Sequence, residues 1–302
     1  MAFRKAASVF LTVAMATMVA PACDESTSAA VDATPDTVDS PPAPMTRLLV
    51  LDTLVFAPEI SPGVTIGFNL DGLVSDPPDL AGCGETDFTA PDGTPGIDSK
   101  LATLLPLFAV AGIGAAEDLL QSTIEEGGIL LMLQVGGIDD LQDDDDVEVT
   151  IRSGQGKPLL ATDGLLLPGQ TYHLRDDSPE SKALSGRIEG GILTAGPVDS
   201  TLRVRVLGQD YVLPVHGAWI RGRLTEDGGL ADGVLGTGVA IEDLRTIGKV
   251  AANDDGGVLK SIELLFADAG DLKPNAEGVC QQMSATLSFS AVSAYLFEES
   301  TF

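Results

Sequence analysis

The sequence has few of the residues on which most catalytic centres depend. Its 302 residues include two histidines, three cysteines and one tryptophan. It contains no Gly-x-Ser-x-Gly elbow, His-Glu-x-x-His helix, phosphate-binding loop or dinucleotide glycine fingerprint. We therefore interpret His173 and His216 as ordinary strand residues, because no motif supplies the nucleophile or metal partner that a catalytic histidine needs.

Basic residues are also scarce. Lysine and arginine number 17 against 45 aspartates and glutamates, which gives a formal net charge of −28. A field of that sign repels phosphate backbones, so we expect no nucleic-acid partner. Many of the aspartates stand beside glycine, proline or asparagine, a pattern typical of turns that also suits oxygen ligation of calcium.

The chain has no apolar run long enough to span a bilayer as a helix. Arg4 and Lys5 are followed by a 15-residue uncharged segment, residues 6–20, whereas a spanning helix needs about 20. A short basic start, a brief apolar run and small residues before a cleavage point are typical of a signal peptide. We predict that residues 1–22 are removed on export and that the mature chain has no transmembrane helix.

The predicted cleavage point is followed directly by a cysteine. Ala20-Pro21-Ala22-Cys23 resembles the lipobox of bacterial lipoproteins, although Ala20 and Pro21 are atypical of it. The next segment, residues 23–44, is small, polar and proline-rich, which is typical of a disordered tether. We expect Cys23 to carry lipid that anchors the protein to a membrane of the cell envelope. The alternative is a soluble secreted protein cut at the same bond.

The two remaining cysteines, Cys83 and Cys280, make an even number once Cys23 is lipidated. We expect them to form a disulfide in an oxidising compartment. A metal site built on the two thiols is the rival interpretation, and it would need histidines of which the chain has only two.

Residues 45–302 show mostly strand patterns. Residues 129–135 form an apolar run typical of a buried strand, and apolar residues alternate with serine or threonine from Ser284 to Ala291. Helical spacing occurs at residues 101–108, 115–126 and from Ile241 onward. The pattern predicts a single, mainly β domain: an antiparallel β-sandwich or barrel-like fold with several short inserted helices, of the α+β class.

The densest cluster of polar residues lies between Phe68 and Asp98. Its side chains could supply oxygen ligands to calcium, although their spacing does not match an EF-hand. The alternative is that they cap turns by accepting backbone hydrogen bonds. The predicted calcium ligands are Asn69, Asp71, Asp76, Asp79, Asp87, Asp92 and Asp98.

Aromatic and basic side chains come close together near residue 220. Tyr211, Trp219, Arg221 and Arg223 alternate along one predicted strand, so they could form a face that binds a carbohydrate or a protein. The alternative for Trp219 is packing in the core.

Several segments together resemble uncharacterised envelope lipoproteins of the myxobacterial kind. They are the signal segment, Cys23 with its acidic tether, residues 82–98 and the closing strand from Cys280 to Ala294. The resemblance implies a cell-envelope location and transfers no catalytic residue. We expect a non-enzymatic binding or structural module, the alternative being a hydrolase of envelope or extracellular polymers that draws its acids from the aspartate-rich loop.

Overall fold

The computed structural model describes residues 43–78, 81–110, 116–206, 209–252 and 256–297. The predicted signal peptide, Cys23 and nearly all of the tether lie outside these residues, as does Asp79. The five ranges make up the described part of the chain.

The described residues form twelve strands and four helices. The strands are β1 (Met45–Phe56), β2 (Leu131–Ile138), β3 (Asp143–Asp144), β4 (Glu148–Gln155), β5 (Gln170–Leu174), β6 (Ser181–Lys182), β7 (Ser185–Glu189), β8 (Ile192–Val206), β9 (Gln209–Leu224), β10 (Leu230–Ala240), β11 (Leu272–Pro274) and β12 (Cys280–Leu296). The helices are α1 (Lys100–Val110), α2 (Ala116–Glu125), α3 (Ile241–Ala251) and α4 (Gly256–Leu265).

The sheet closes on itself through antiparallel pairs. Around the ring the order is β1, β2, β4, the β6–β7 segment, β8, β9, β10, β12 and back to β1. The short strands β6 and β7 together occupy one position beside β4. Ser181 in β6 lies opposite Ile151, and Val147, just before β4, donates its N–H to the carbonyl of Gly186 in β7. The ring therefore has eight strand positions.

One short strand makes the sheet mixed. β5 pairs with the end of β4 in antiparallel fashion and with the end of β12 in parallel. The predicted mainly β fold with short inserted helices is confirmed, and the closed ring corresponds to the barrel-like alternative of that prediction.

The closing strand β12 shows why the pattern folds this way. Ala285, Leu287 and Phe289 alternate along it and are buried inside the ring, as expected for a strand whose successive side chains point to opposite faces. Its opposite face is also covered, since Ser284 and Thr286 have no exposed surface. Ser284 lies beneath the start of α1, where its hydroxyl accepts a hydrogen bond from the N–H of Lys100.

Two of the helices lie over one open end of the ring. α2 contacts both β1 and β8, which are four positions apart in a ring of eight and therefore face each other across it. α3 contacts β8, β9, β10 and β12. The helices thus cover the end of the ring at which β1 and β8 finish and β9 and β12 begin.

The opposite end of the ring is filled with side chains. Leu49, Val135, Ile188, Leu193 and Leu230 come from five different strands, are at most 2% exposed and belong to one cluster of buried side chains. This half of the ring is therefore closely packed.

Candidate functional site: an apolar cavity inside the closed sheet

The half of the ring beneath the helices is hollow. It encloses a cavity of about 310 Å³. Three clusters of buried side chains border this space: the main core, the cluster beneath α3 and α4, and a small cluster around Leu213 and Val239. The cavity therefore lies where these three clusters approach one another.

The lining is almost entirely hydrocarbon. Twenty-six described residues line the cavity, of which four carry hydroxyl groups and none carries a charge. The apolar members are Leu51, Phe56, Leu101, Leu119, Leu120, Leu131, Leu133, Ile151, Leu202, Leu213, Val215, Ala218, Ile220, Leu235, Val239, Leu244, Ile247, Phe266, Met283, Ala285, Leu287 and Phe289. The hydroxyl-bearing members are Thr123, Ser200, Thr201 and Thr237.

The size of the space agrees with the number of strands around it. An eight-stranded closed sheet has an interior that side chains can just fill or that holds one small ligand. The volume is about twice the ~150 Å³ of an engineered apolar cavity that stays dry and binds benzene. Ligand pockets for small molecules begin at about 300 Å³.

The cavity is open to solvent beside α2. Leu119 lines the cavity and is 43% exposed, whereas Thr123, one turn further along the same helix, is buried. Leu119 therefore extends from the lining of the cavity to the surface of the protein.

A second, much smaller pocket lies outside the ring, under the aspartate-rich loop. It measures about 40 Å³, and its lining includes Asp71, Asp87, Asp98 and Asp271. Lys100 also lines it and forms an ion pair with Glu85 at 2.7 Å. With Glu85, five carboxylates thus share a space that has room for a few water molecules at most.

Burial of these carboxylates shifts their protonation. The pKa of Asp98 is raised to about 7, first by loss of solvent and then by the charges of Asp71, Asp87 and Asp271, against the lowering effect of the N–H of Leu70. Loss of solvent likewise raises the pKa of Asp271 to about 6, although its hydrogen bonds from Ser284 and the charge of Lys100 oppose the rise. The pocket therefore gains negative charge near neutral pH.

The structure brings together three of the predicted calcium ligands, namely Asp71, Asp87 and Asp98, all of which line the small pocket. It adds Asp271 and the Ser99 hydroxyl, which is buried and has no hydrogen-bond partner among the described residues. Within the described part of the chain, no group of three or more histidine, cysteine or acidic side chains is arranged to hold a metal ion.

Most of the predicted ligands accept backbone hydrogen bonds, within a turn or from a distant part of the loop. Asn69 accepts the N–H of Gly72 at 2.6 Å, and Asp92 accepts that of Thr94 at 2.9 Å. Asp98 accepts the N–H groups of Leu70 and Asp71, at 2.6 Å and 3.3 Å. Asp87 accepts that of Ser75 at 2.6 Å, and Asp76 lies near enough to raise the pKa of Asp87. Calcium binding stays a prediction.

The disulfide between Cys83 and Cys280 is present, with the two Cα atoms 6.0 Å apart. It ties the aspartate-rich loop to the start of β12 and lies beside the small pocket, which Cys83 also lines. The predicted pairing of these two cysteines is confirmed.

The residues predicted to bind a carbohydrate or a protein lie on β9 but do not all meet. Trp219, Arg221 and Arg223 follow one another on its outer face, whereas Tyr211 lies eight residues away, about 26 Å along a strand at ~3.3 Å per residue. The ring of Phe68, from the aspartate-rich loop, stacks on Trp219 at 6.3 Å between centroids. The guanidinium of Arg221 lies 5.2 Å from the centre of the same Phe68 ring. Trp219 and Arg221 thus hold the loop against the sheet.

Comparison with protein-family models, with curated protein sequences and with solved structures finds no match to this chain. None of the described helices is long and apolar enough to cross a membrane. The function of the chain is therefore inferred from the cavity and its surroundings.

Proposed function

We propose that this protein is an exported, lipid-anchored binding protein that holds one small apolar ligand inside its closed sheet. The observation that carries the proposal is the cavity of about 310 Å³, whose described lining contains no charged side chain. Such a space is a poor site for water, which needs two to four polar partners. Each apolar group that moves from water into the cavity makes the free energy of binding more favourable.

The alternative of a hydrolase receives less support from the same geometry. Its acids would come from the aspartate-rich loop, where the buried carboxylates enclose only about 40 Å³. A polymer chain cannot enter a space of that size, and glycoside hydrolysis needs two carboxyl groups on either side of the bond to be cut.

Binding of a carbohydrate or protein at Trp219 is also less favoured. Sugar-binding faces present an open aromatic ring, and the Trp219 ring is already stacked on Phe68. We therefore place the ligand inside the ring and assign Trp219 and Arg221 a structural role in attaching the loop.

The proposed location at a membrane depends on how the cysteines are used. With Cys83 and Cys280 joined to each other, Cys23 is the cysteine left for lipid. A tether of about twenty residues would then hold the binding domain at a membrane surface, close to a source of apolar molecules.

Filling the cavity tests the proposal. Val215 lines the cavity on β9, and Val215→Phe places a larger ring in that space. The parent protein for this test is the full chain carrying Cys23→Ser, which cannot be acylated and needs no detergent. We expect it to bind the neutral dye N-phenyl-1-naphthylamine and to increase the fluorescence of the dye. Val215→Phe should reduce the affinity for the dye at least fivefold, on the order of 1 kcal/mol.

The matched control is Val212→Phe, which makes the same change on the same strand at a side chain that is 49% exposed and does not line the cavity. It should bind the dye as the parent does. The proposal is wrong if the parent chain binds no dye, or if both phenylalanine variants bind it equally well. Melting curves of the three proteins show whether each is folded.

A further inference from the structure

A group of exposed apolar side chains lies where the last strand ends. Tyr295 near the end of β12 and Phe297 just after it are 63% and 54% exposed. The Phe297 ring lies beside the exposed ring of His173, with 4.4 Å between centroids. Leu159 and Leu167, on the loop that leads into β5, are exposed as well. We call the two aromatic and two leucine residues the β12-end patch, since grouped apolar side chains of this kind mark surfaces that contact another molecule.

Backbone hydrogen bonds hold this part of the chain in place. Phe297 donates its N–H to the carbonyl of Tyr172 in β5, and the side chain of Tyr172 is buried in the main core. The loop is attached nearby, because Gly169 donates its N–H to the carbonyl of Ser293 in β12. The β12-end patch is therefore part of the folded domain.

The patch lies beside the point at which the predicted tether joins the domain. Leu48, the fourth residue of β1, lies opposite Ala294, the residue before Tyr295. The tether, residues 23–44, directly precedes β1. A flexible chain of that length has its ends about 25 Å apart on average. Lipid on Cys23 would thus keep the patch close to the membrane surface.

The cavity opens at the other end of the ring. Its opening lies beside Leu119 in α2, which covers the end at which β1 finishes. The β12-end patch lies towards the end at which β1 begins. A surface in contact with the patch would therefore leave the opening of the cavity in solvent.

The charges around the patch do not suit an anionic surface. Arg47 and Lys157 lie near it, but the guanidinium of Arg47 is bonded to the carbonyl of Thr225 in a hairpin that also carries exposed Glu226 and Asp227. The chain as a whole has a net charge of −28. An anionic membrane attracts clusters of basic residues and repels a protein of this charge. A zwitterionic lipid surface fits the patch better.

We infer that the β12-end patch rests on the zwitterionic lipid surface of the membrane that holds the lipid of Cys23. This inference rests on the lipid anchor of the proposed function. Tyrosine is favoured at membrane interfaces, where its ring is in an apolar region and its hydroxyl in a wet one. The anchor makes even a weak contact effective, because the patch then binds within one molecule at a high effective concentration. The domain is held in one orientation, with the cavity opening away from the bilayer.

Quenching of tryptophan fluorescence by lipid tests the inference. The lipidated full chain carrying Phe297→Trp is reconstituted into phosphatidylcholine vesicles, with or without phosphatidylcholine that is brominated on its acyl chains. The matched control is Val212→Trp, at an exposed apolar residue near the start of β9, which lies at the end of the ring that the helices cover. We expect brominated lipid to quench the fluorescence added by Phe297→Trp at least about threefold more strongly than that added by Val212→Trp.

Two changes should weaken this quenching. Adding Tyr295→Ser to the Phe297→Trp chain removes part of the apolar contact and should reduce the quenching by about half or more. Replacing half of the phosphatidylcholine with anionic phosphatidylglycerol should also reduce it, because the protein is negatively charged. Stronger quenching on the anionic vesicles would contradict the inference.

Equal quenching in the Phe297→Trp and Val212→Trp chains, or none in the former, overturns the inference. It is also overturned if the Cys23→Ser chain sediments as a dimer that Tyr295→Ser/Phe297→Ser converts to a monomer, since the patch would then bind a second copy. A chain that incorporates no fatty acid removes the anchor itself, whereas a lipidated chain without quenching loses only the docking. Dye binding by the Cys23→Ser chain decides the proposed cavity separately.

Discussion

At the scale of single residues, the most unusual groups are the carboxylates beneath the aspartate-rich loop. Asp98 and Asp271 are at most 9% exposed, and both are held by hydrogen bonds from the chain around them. Their charged forms are disfavoured by burial. Both acids are consequently easier to protonate than an exposed aspartate.

Asp98 should make stability depend on pH. Its pKa is about 7 in the folded chain against an ordinary value of 3.8. Between those two values the folded state binds more protons than the unfolded state, so the free energy of unfolding falls as pH rises from about 4 to about 7. An asparagine side chain keeps an oxygen that can accept the N–H groups of Leu70 and Asp71. We expect Asp98→Asn to flatten that fall and to raise stability at pH 8, measured by urea unfolding across this range.

Asp92→Asn provides the control for this measurement. Asp92 lies on the same loop and also accepts a backbone N–H, but it is exposed and its pKa is lowered by the N–H and hydroxyl of Thr94. This variant removes the same charge and should keep the parent's slope with pH between about 4 and about 7. An unchanged slope in Asp98→Asn would show that Asp98 does not titrate in this range.

Calcium would act on the same carboxylates. We expect calcium in excess to raise the melting temperature of the protein at pH 8, where the acids are charged, because a ligand that binds only the folded state stabilises it by mass action. Asp71→Asn should remove the shift, since Asp71 lines the small pocket. Identical melting curves in calcium and in chelator would contradict the calcium prediction and leave turn capping as the role of these aspartates.

At the scale of elements, the strands with regular alternation are predictable from the sequence and β10 is not. Its segment, Leu230–Ala240, contains Gly233, Gly236 and Gly238, and glycines in a strand pattern usually indicate a turn or bulge. The structure gives a reason for two of them. A Cβ at Gly233 would lie 2.5 Å from the carbonyl oxygen of Phe289, and one at Gly236 would lie 2.7 Å from the Phe68 ring. Gly233 and Gly236 are needed because residues distant in sequence pack against them. The local sequence pattern therefore could not show that these glycines belong to a strand.

The disulfide links two segments that are far apart in the sequence. It closes 197 residues between the aspartate-rich loop and the start of β12, and the chain-entropy model assigns roughly 5 kcal/mol to a loop of that length. We expect Cys83→Ser/Cys280→Ser to lower the melting temperature by at least about 10 °C. Cys23→Ser should leave it unchanged, because Cys23 has no part in the bridge. Equal melting temperatures for all three proteins would show that the bridge does not support the fold.

At the scale of the whole molecule, the sequence predicts the class of fold but not the cavity. A strand that faces packed side chains and a strand that faces empty space have the same alternation: Leu213 and Val215 border the cavity, while Leu193 and Ala195 fill the other half. The difference depends on how the strands pair around the ring, which is a property of contacts between distant residues. Asp271 was missed for the same reason, since it lies far in sequence from the loop whose pocket it completes.

Lipidation of Cys23 is a prediction about the whole protein. In a bacterial host, we expect the full chain to incorporate an alkyne-tagged fatty acid and to sediment with membranes. The Cys23→Ser chain should incorporate none and should appear in the soluble exported fraction. A wild-type chain that is exported without label would support the soluble secreted alternative.

The pairing of β1 with β12 has a consequence for how the cavity comes to exist. Leu48 lies opposite Ala294, so the ring closes only when nearly the last described residues have arrived, and such distant pairs form slowly. A nascent chain without β12 has no enclosed interior. If the chain is exported as predicted, the final strand docks after translocation, and an apolar molecule in that compartment can be enclosed while the protein folds.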